Sequence, residues 1–340
     1  MTIHDVALLA GVSPMTVSRV INGETNVRAA KRAAVLTAID DLNYAPNPAA
    51  RSLAGADGAR IGLLYNNPSA AYLTEFLVGA LDESSRKSTQ LILEKCEITS
   101  AIVERAAVQK LVDGGVSGVI LPPPLSESVD VLRALKEADL PTVAVATGRF
   151  NSEASCVRIN DFAAALEMTN YLIDLGHRRI GFIKGHPNTT SSAERLRGYE
   201  EALHGAGIRS AKSLVAQGYF SYRSGLDAAE TLLTQPELPT AIFASNDDMA
   251  AAVVSVAHRK GLDVPSDLSV VGFDDTSIAT TIWPELTTIR QPITSMAEIA
   301  LDLVIRAIRS RKNGQASKPI DHLVTYSLVK RRSTAAPKKT

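Results

Sequence analysis

The sequence predicts an N-terminal all-α helix-turn-helix headpiece with a short hinge helix, followed by a larger, two-lobed α/β domain with parallel sheets. Three observations predict it. At 340 residues the chain is too long for a single core of the usual size, so one large two-lobed domain or several domains are expected, with room for a small extra module. Residues 2–44 carry three helical signatures separated by tight polar breaks. From Arg60 onward, short apolar runs alternate with amphipathic helical stretches, the pattern of parallel sheets flanked by helices.

Composition narrows the partners. Lys+Arg and Asp+Glu stand at 36 each and hydrophobic residues make up 45%, so the chain as a whole has no attraction for nucleic acid or membrane. Any nucleic-acid signal must be local. Cys96 and Cys156 lie far apart and lack metal-ligand spacing, which argues against a disulfide framework or a zinc site and fits a reducing cytoplasm; no cofactor is expected. The opening residues show no basic leader before an apolar stretch, and runs such as 249–257 are too short to cross a bilayer. The expected location is therefore cytoplasmic, with no membrane partner. Residues 329–340 read as a flexible basic tail.

In the headpiece, Thr2 and Asp5 can cap a first helix in which Val6, Leu9 and Ala10 recur at helical spacing before Gly11 ends it. Ser13 is a favourable N-cap and Pro14 suits the first position of a second helix, stopped by Asn22-Gly23. A third helix over about 28–42 places Val35, Leu36, Ile39 and Leu42 on one face. In the second helix Val17, Val20 and Ile21 point inward, leaving Met15, Thr16, Ser18, Arg19 and Asn22 outside. This is the helix-turn-helix arrangement, whose second helix enters the major groove. Arg19 can pair bidentately with a guanine, while Thr16, Ser18 and Asn22 can hold phosphates. The plainer alternative is a solvated surface helix. Charge does not decide, because Arg19, Arg28, Lys31, Arg32 and Arg51 are nearly balanced by Asp5, Glu24, Asp40 and Asp41.

The following segment is more specific. Asn47 can cap and Pro48 can start a helix of about two turns that ends at Gly55, too short to stand alone in water. Its small face, Ala49, Ala50 and Ala54, permits close approach of another backbone, and Leu53 is an apolar wedge of the kind that unstacks minor-groove base steps. Taken together, "TIHDVALLAGVSPMTVSRVING" and "LNYAPNPAARSLAG" resemble the headpiece and hinge helix of the LacI/GalR family of bacterial transcription regulators almost position for position. The resemblance implies Pro14, Met15 and Arg19 at the base-reading positions and Leu53 as the residue that opens the operator's centre. Thr2, Ser13, Thr16, Ser18, Asn22 and Ala50 complete the expected DNA-binding set.

In the larger domain, strands are predicted at 61–65, 91–95, 118–121, 142–145, 179–183, 240–244 and 268–273. Ligands of such sheets bind beyond the carboxyl ends of the strands. Asn66, Asn67 and Tyr72 follow the first strand, Asn246-Asp247-Asp248 follow "AIFAS", and Asp274-Asp275 follow "SVVGF". Planar and carboxylate groups beside aromatic faces such as Phe220 or Trp283 suit a polyhydroxylated ligand. Each Asn or Asp could equally cap the next helix, a reading that weighs most for Asp247 and Asp248. This stretch resembles the periplasmic-binding-protein-like core of the same family. The resemblance implies crossovers near 159–161, 289–292 and 321, with lobes of about 59–160 plus 290–320 and 161–289 plus 321–328, after a headpiece at 1–46 and a hinge at 47–58. It implies effector contacts from Arg195, Phe220, Asn246 and Asp274, with Tyr72 and Gln291 matching less closely. Where many relatives place an acidic contact this chain has Ala146-Thr147; Asn160 and Asp161 could compensate, or serve only the hinge.

Two rivals are weaker. An enzyme would need a signature that is missing: there is no G-x-G-x-x-G after the first strand, no phosphate-binding loop, no G-x-S-x-G and no H-E-x-x-H. An exported binding protein would not carry residues 1–55. The expected protein is thus a regulator, most simply a repressor, that binds palindromic operator DNA as a homodimer or tetramer under a sugar-like effector.

Overall fold

The structure, a computed structural model, describes residues 2–21, 27–42, 44, 59–97, 100–315 and 318–338. It divides into two compact units, Met1–Gly58 and Ala59–Thr340. The hinge expected at 47–58, with Ala50 and Leu53, and the second-helix stop at Asn22-Gly23 lie outside the described residues.

In the first unit α1 spans Ile3–Leu9, α2 Pro14–Ile21 and α3 Ala29–Asp41. Thr2 and Asp5 close a reciprocal capping box, the Thr2 amide donating to the Asp5 carboxylate at 2.7 Å. Gly11, at φ +63°, makes the left-handed exit from α1. Pro14 is the first residue of α2, and the Ser13 hydroxyl accepts from the Thr16 amide. The core is Val6, Ala7, Val17, Val20, Val35 and Ala38, with Ile3, Ala10, Ile21, Ile39 and Leu42 packed around it. Two expected core residues are not in it, since Leu9 is 55% and Leu36 50% exposed. The buried stripe of α1 runs through Ile3, Val6, Ala7 and Ala10, which turns Leu9 outward, and small Ala7 and Ala38 let three short helices approach closely.

The second unit contains two parallel sheets. The first is ordered β2-β1-β3-β4-β5-β11, from β1 Arg60–Tyr65, β2 Gln90–Lys95, β3 Gly118–Leu121, β4 Thr142–Val145, β5 Ser155–Arg158 and β11 Asp321–Leu323. The second is ordered β7-β6-β8-β9-β10-β12, from β6 Ile180–Lys184, β7 Val215–Gln217, β8 Ala241–Ala244, β9 Ser269–Asp274, β10 Thr287–Arg290 and the antiparallel β12 Ser327–Val329. Central strands such as β3 and β8 are buried at every residue, because helices cover both faces. Those helices are α4 Ala70–Arg86, α5 Ala101–Asp113 and α6 Val129–Glu137 in the first lobe, and α7 Asp161–Asp174, α8 Thr190–Gly205, α9 Tyr222–Leu232, α10 Asp247–Arg259 and the single-turn α11 Ile278–Thr281 in the second. Helix α12, Ile293–Lys312, returns to the first lobe and packs on α4, β3 and β4.

Three expectations are corrected. Strand β11 pairs with β5 in the first sheet, so residues 321–323 belong to the first lobe and the last crossing falls at 324–326. Strand β10 keeps Arg290 in the second sheet, so the return begins at Gln291. The tail is not loose through 338: the Ser333 side chain is fully buried, its hydroxyl accepts from the Thr287 amide at 2.8 Å, and the Ala335 carbonyl accepts from the His177 ring at 3.0 Å. The basic residues there find partners, Lys330 over the Tyr171 ring and Arg331 against Asp275 at 2.6 Å. Strands β5, β7, β10, β11 and β12, of three or four residues each, go beyond those the sequence predicts.

Candidate functional site

The carboxyl ends of both sheets face each other across a cavity of about 330 Å³. From the first lobe it is lined by Asn66, Asn67, Ser69 and Tyr72 after β1, by Pro123 and Pro124 after β3, and by Ala146 after β4. The second lobe supplies His186, Ser191 and Arg195 after β6, Tyr219, Phe220 and Ser221 after β7, Asn246 after β8 and Asp274 after β9. Gln291 comes from the crossing that follows β10. Six of the seven side chains expected at the effector therefore meet here. The seventh, Asp161, does not line the cavity: it lies behind Arg195, 2% exposed, with its carboxylate accepting from the Arg195 Nε at 2.8 Å.

Arg195 is held on every side. It donates to Asp161 and to the Ser245 carbonyl, its guanidinium carbon sits 3.6 Å from the centre of the Phe273 ring and 5.8 Å from that of Phe220, and it stands 3.9 Å from the Asp274 carboxylate. The Gln291 amide donates to Asp274 at 2.5 Å. Burial pushes the Asp274 carboxyl up to about 7, against the pull of Arg195 and the Gln291 hydrogen bond. Burial raises Asp161 as well, opposed by Arg195. Two polar atoms on the wall, the Tyr72 hydroxyl and the Gln291 carbonyl oxygen, are buried without a protein partner. Such atoms ask for a ligand that can satisfy them.

The backbone is strained where it borders the cavity. Ala146, Phe220, Asp274 and Asp275 all have positive φ, at 54°, 60°, 107° and 58°. For non-glycine residues this costs free energy, and such strain clusters at binding sites. Gly185 makes room for the turned-in Phe220, whose ring would come 1.9 Å from any Cβ at that position.

The Asn246 side chain caps α10, accepting from the Met249 amide at 3.1 Å, and donates to the Phe220 carbonyl at 2.9 Å. It lines the cavity with its polar atoms already engaged, so it shapes the wall. Asn160 likewise caps α7. Asp247, fully buried, accepts from the Thr276 amide and the Thr288 hydroxyl, and burial raises its pKa. Trp283 is 67% exposed against Arg332 and takes no part in the cavity. The lobes are also tied directly. The Ser69 hydroxyl donates to Asp248 at 2.6 Å, the Thr190 amide to Glu127 at 2.7 Å, the Ser277 amide to Glu75 at 3.1 Å and the Arg149 side chain to Glu194 at 2.7 Å. Sequence reasoning missed these ties, along with His186 and Tyr219. The signal that could have found the last two is their position after β6 and β7, strand ends like those already searched.

On the headpiece, Met15 is 63% exposed, and Thr2, Ser13, Ser18 and Arg19 are exposed or partly exposed on the outer surface with Pro14 and Thr16. The Ser13 and Thr16 hydroxyls bond to one another at 3.0 Å within the turn, and along α2 Met15 and Arg19 are the exposed side chains. Asn22 lies outside the described residues.

The profile of "Bacterial regulatory proteins, lacI family" matches residues 2–47, and that of "Periplasmic binding protein-like domain" matches residues 169–334. Catabolite control protein A of Priestia megaterium is 32% identical over 328 residues, 96% of this chain and 98% of that protein. The chain belongs to the LacI family. Two solved structures of transcription regulators match it over nearly its whole length. The CelR–cellobiose complex has a TM-score of 0.74 and 32% identity, covering 98% of this chain and 99% of the other; the Lac repressor dimer bound to operator and the anti-inducer ONPF has a TM-score of 0.74 and 28% identity, covering 99% of both. This LacI-family regulator is thus a DNA-binding protein that answers to a small molecule, and its relatives are transcriptional regulators rather than enzymes. Among the described residues no helix is long and apolar enough to cross a membrane.

Proposed function

We propose that this LacI-family regulator represses transcription as a homodimer on a palindromic operator, read by α2 and opened by Leu53, and that its effector is an uncharged sugar or sugar derivative. The charge state of the cavity carries the effector reading. The cation on its wall, Arg195, is paired with Asp161 and donates to the Ser245 carbonyl, and a second carboxyl, Asp274, stands 3.9 Å from it. A phosphate or carboxylate ligand would meet a cation whose charge Asp161 already counters, and would face the buried Asp274 carboxyl. A polyol finds the Tyr72 hydroxyl, the Gln291 carbonyl and the Asp274 carboxyl for its hydroxyls, and the Phe220 ring for its C–H face. The similar CelR structure is a cellobiose complex, and the similar Lac repressor structure is a dimer on its operator, which support the sugar and the dimer respectively.

The test is linkage. Effector affinity, measured by calorimetry with and without bound operator at fixed salt, should differ, and the operator's affinity should change by the same factor when effector is added. Equal effector affinities in both states, with operator demonstrably bound, would sink the regulatory reading. Within the DNA-binding unit, Arg19→Ala is expected to relax preference at one base pair per half-site by about 1–3 kcal/mol. Leu53→Ala should reduce operator bending and specific affinity together. A gel-shift series over single-base operator variants, with bending read from circularly permuted fragments, checks both.

A further inference from the structure

The cavity has two zones of different chemistry. The inner wall is buried and polar: Tyr72, Arg195, Asp274 and Gln291 are each no more than 5% exposed. The outer wall is aromatic and open. Tyr219 is 47% exposed, and its ring stands 5.8 Å from that of His186 in an edge-to-face contact, both side chains bordering the same cavity. This pair is built, not incidental. The His186 Nδ1 accepts from the Asn188 amide at 3.2 Å, which fixes the imidazole. The Tyr219 amide donates to the Ser224 hydroxyl at 2.9 Å within the capping box of α9. The positive φ of Phe220 turns its ring inward under Gly185 and leaves its neighbour Tyr219 at the rim. Consecutive residues thus present rings at two depths.

Large exposed aromatic faces beside a recess are poor solvent-facing surface, but they suit the C–H face of a sugar ring. We propose that the effector is a disaccharide-sized glycoside, with one sugar unit held by the inner polar wall and a second stacked on the Tyr219 ring, which His186 meets edge to face. This rests on the sugar reading above and adds the second unit to it. Tyr219 and His186 would then set the length of ligand accepted, while the inner residues set which hydroxyls are recognised.

Calorimetry on the full chain with glucose, galactose and ribose, and with cellobiose, maltose, lactose and sucrose, separates the possibilities. A disaccharide should bind at least tenfold more tightly than its own monosaccharides. Tyr219→Ala should remove about tenfold of that advantage, weakening disaccharide binding more than monosaccharide binding, and Tyr219→Trp should restore it. The side chain is exposed, so circular dichroism should show the variants folded. A monosaccharide that binds as tightly as every disaccharide, or a Tyr219→Ala variant with unaltered disaccharide affinity, overturns the outer zone and leaves the sugar reading standing. If none of these sugars binds, the sugar reading falls and the outer zone falls with it.

Discussion

Replacing Arg195 by Met is expected to destabilise the larger unit by about 3–5 kcal/mol, because it strands the Asp161 carboxylate in the interior. Asp161 is 2% exposed, and Arg195 supplies both its hydrogen bond and its counter-charge. Most of that loss comes from leaving one partner alone. The double variant Asp161→Asn/Arg195→Met should therefore be markedly more stable than Arg195→Met, and a double-mutant cycle should show strong coupling. The chain's single tryptophan, Trp283, lies in this unit, so urea unfolding followed by its fluorescence reports on the right region. An Arg195→Met variant within about 1 kcal/mol of the parent would contradict the buried-pair account. Arg195→Met should also lose effector binding, since Arg195 forms part of the wall.

Asp274→Asn is expected to trade function for stability in a pH-dependent way. Burial lifts the carboxyl to about 7 in the folded chain, from an ordinary value of 3.8. As pH rises between these values the unfolded chain releases this proton before the folded chain does, so the unfolded state gains. The stability associated with Asp274 is intact below about pH 4 and is lost as pH climbs to about 7, by a total on the order of 4 kcal/mol. Asn cannot ionise and escapes that loss, and the Gln291 carbonyl oxygen, unpartnered in the parent, can accept from the new amide once its side chain turns over. The variant should melt close to the parent at pH 4.5 and above it at pH 8, while effector affinity falls at least tenfold. Melting curves at both pH values, with calorimetry at pH 8, check the two halves. A variant less stable than the parent at pH 8, or one that keeps parental effector affinity, removes Asp274 from this role.

That such a residue persists at a strained φ of +107° is consistent with a binding site that gives up stability for recognition. The sequence placed Asp274 at a strand end but could not show why the position matters. The carboxyl, Arg195 and Gln291 are brought together by three separate segments, and only their packing makes one of them an unusual acid. The same limit explains Asp161, whose sequence position at a crossing fits either the hinge or the ligand. Its contact with Arg195, 34 residues away, decides for a supporting role behind the wall.

By itself the sequence determined what local chemistry governs: the Thr2–Asp5 cap, the Gly11 exit, Pro14 opening α2, and the apolar runs that became β1, β2, β3, β4, β6, β8 and β9. These depend on hydrogen bonds and side-chain periods over a few residues, which are written in neighbouring letters. Tertiary structure alone decided which sheet β11 joins, where the basic tail lies, which of Leu9 and Ala7 enters the headpiece core, and which rings border the cavity. Each of those outcomes depends on what another segment offers across space: a free strand edge beside β5, a hydroxyl pocket for Ser333 between Thr287 and Val270, a close helix crossing at Ala7, and an open rim for Tyr219 where Trp283 finds only Arg332. Burial is a property of the assembled fold, and so are the charge state of Asp274 and the two depths of the cavity that follow from it.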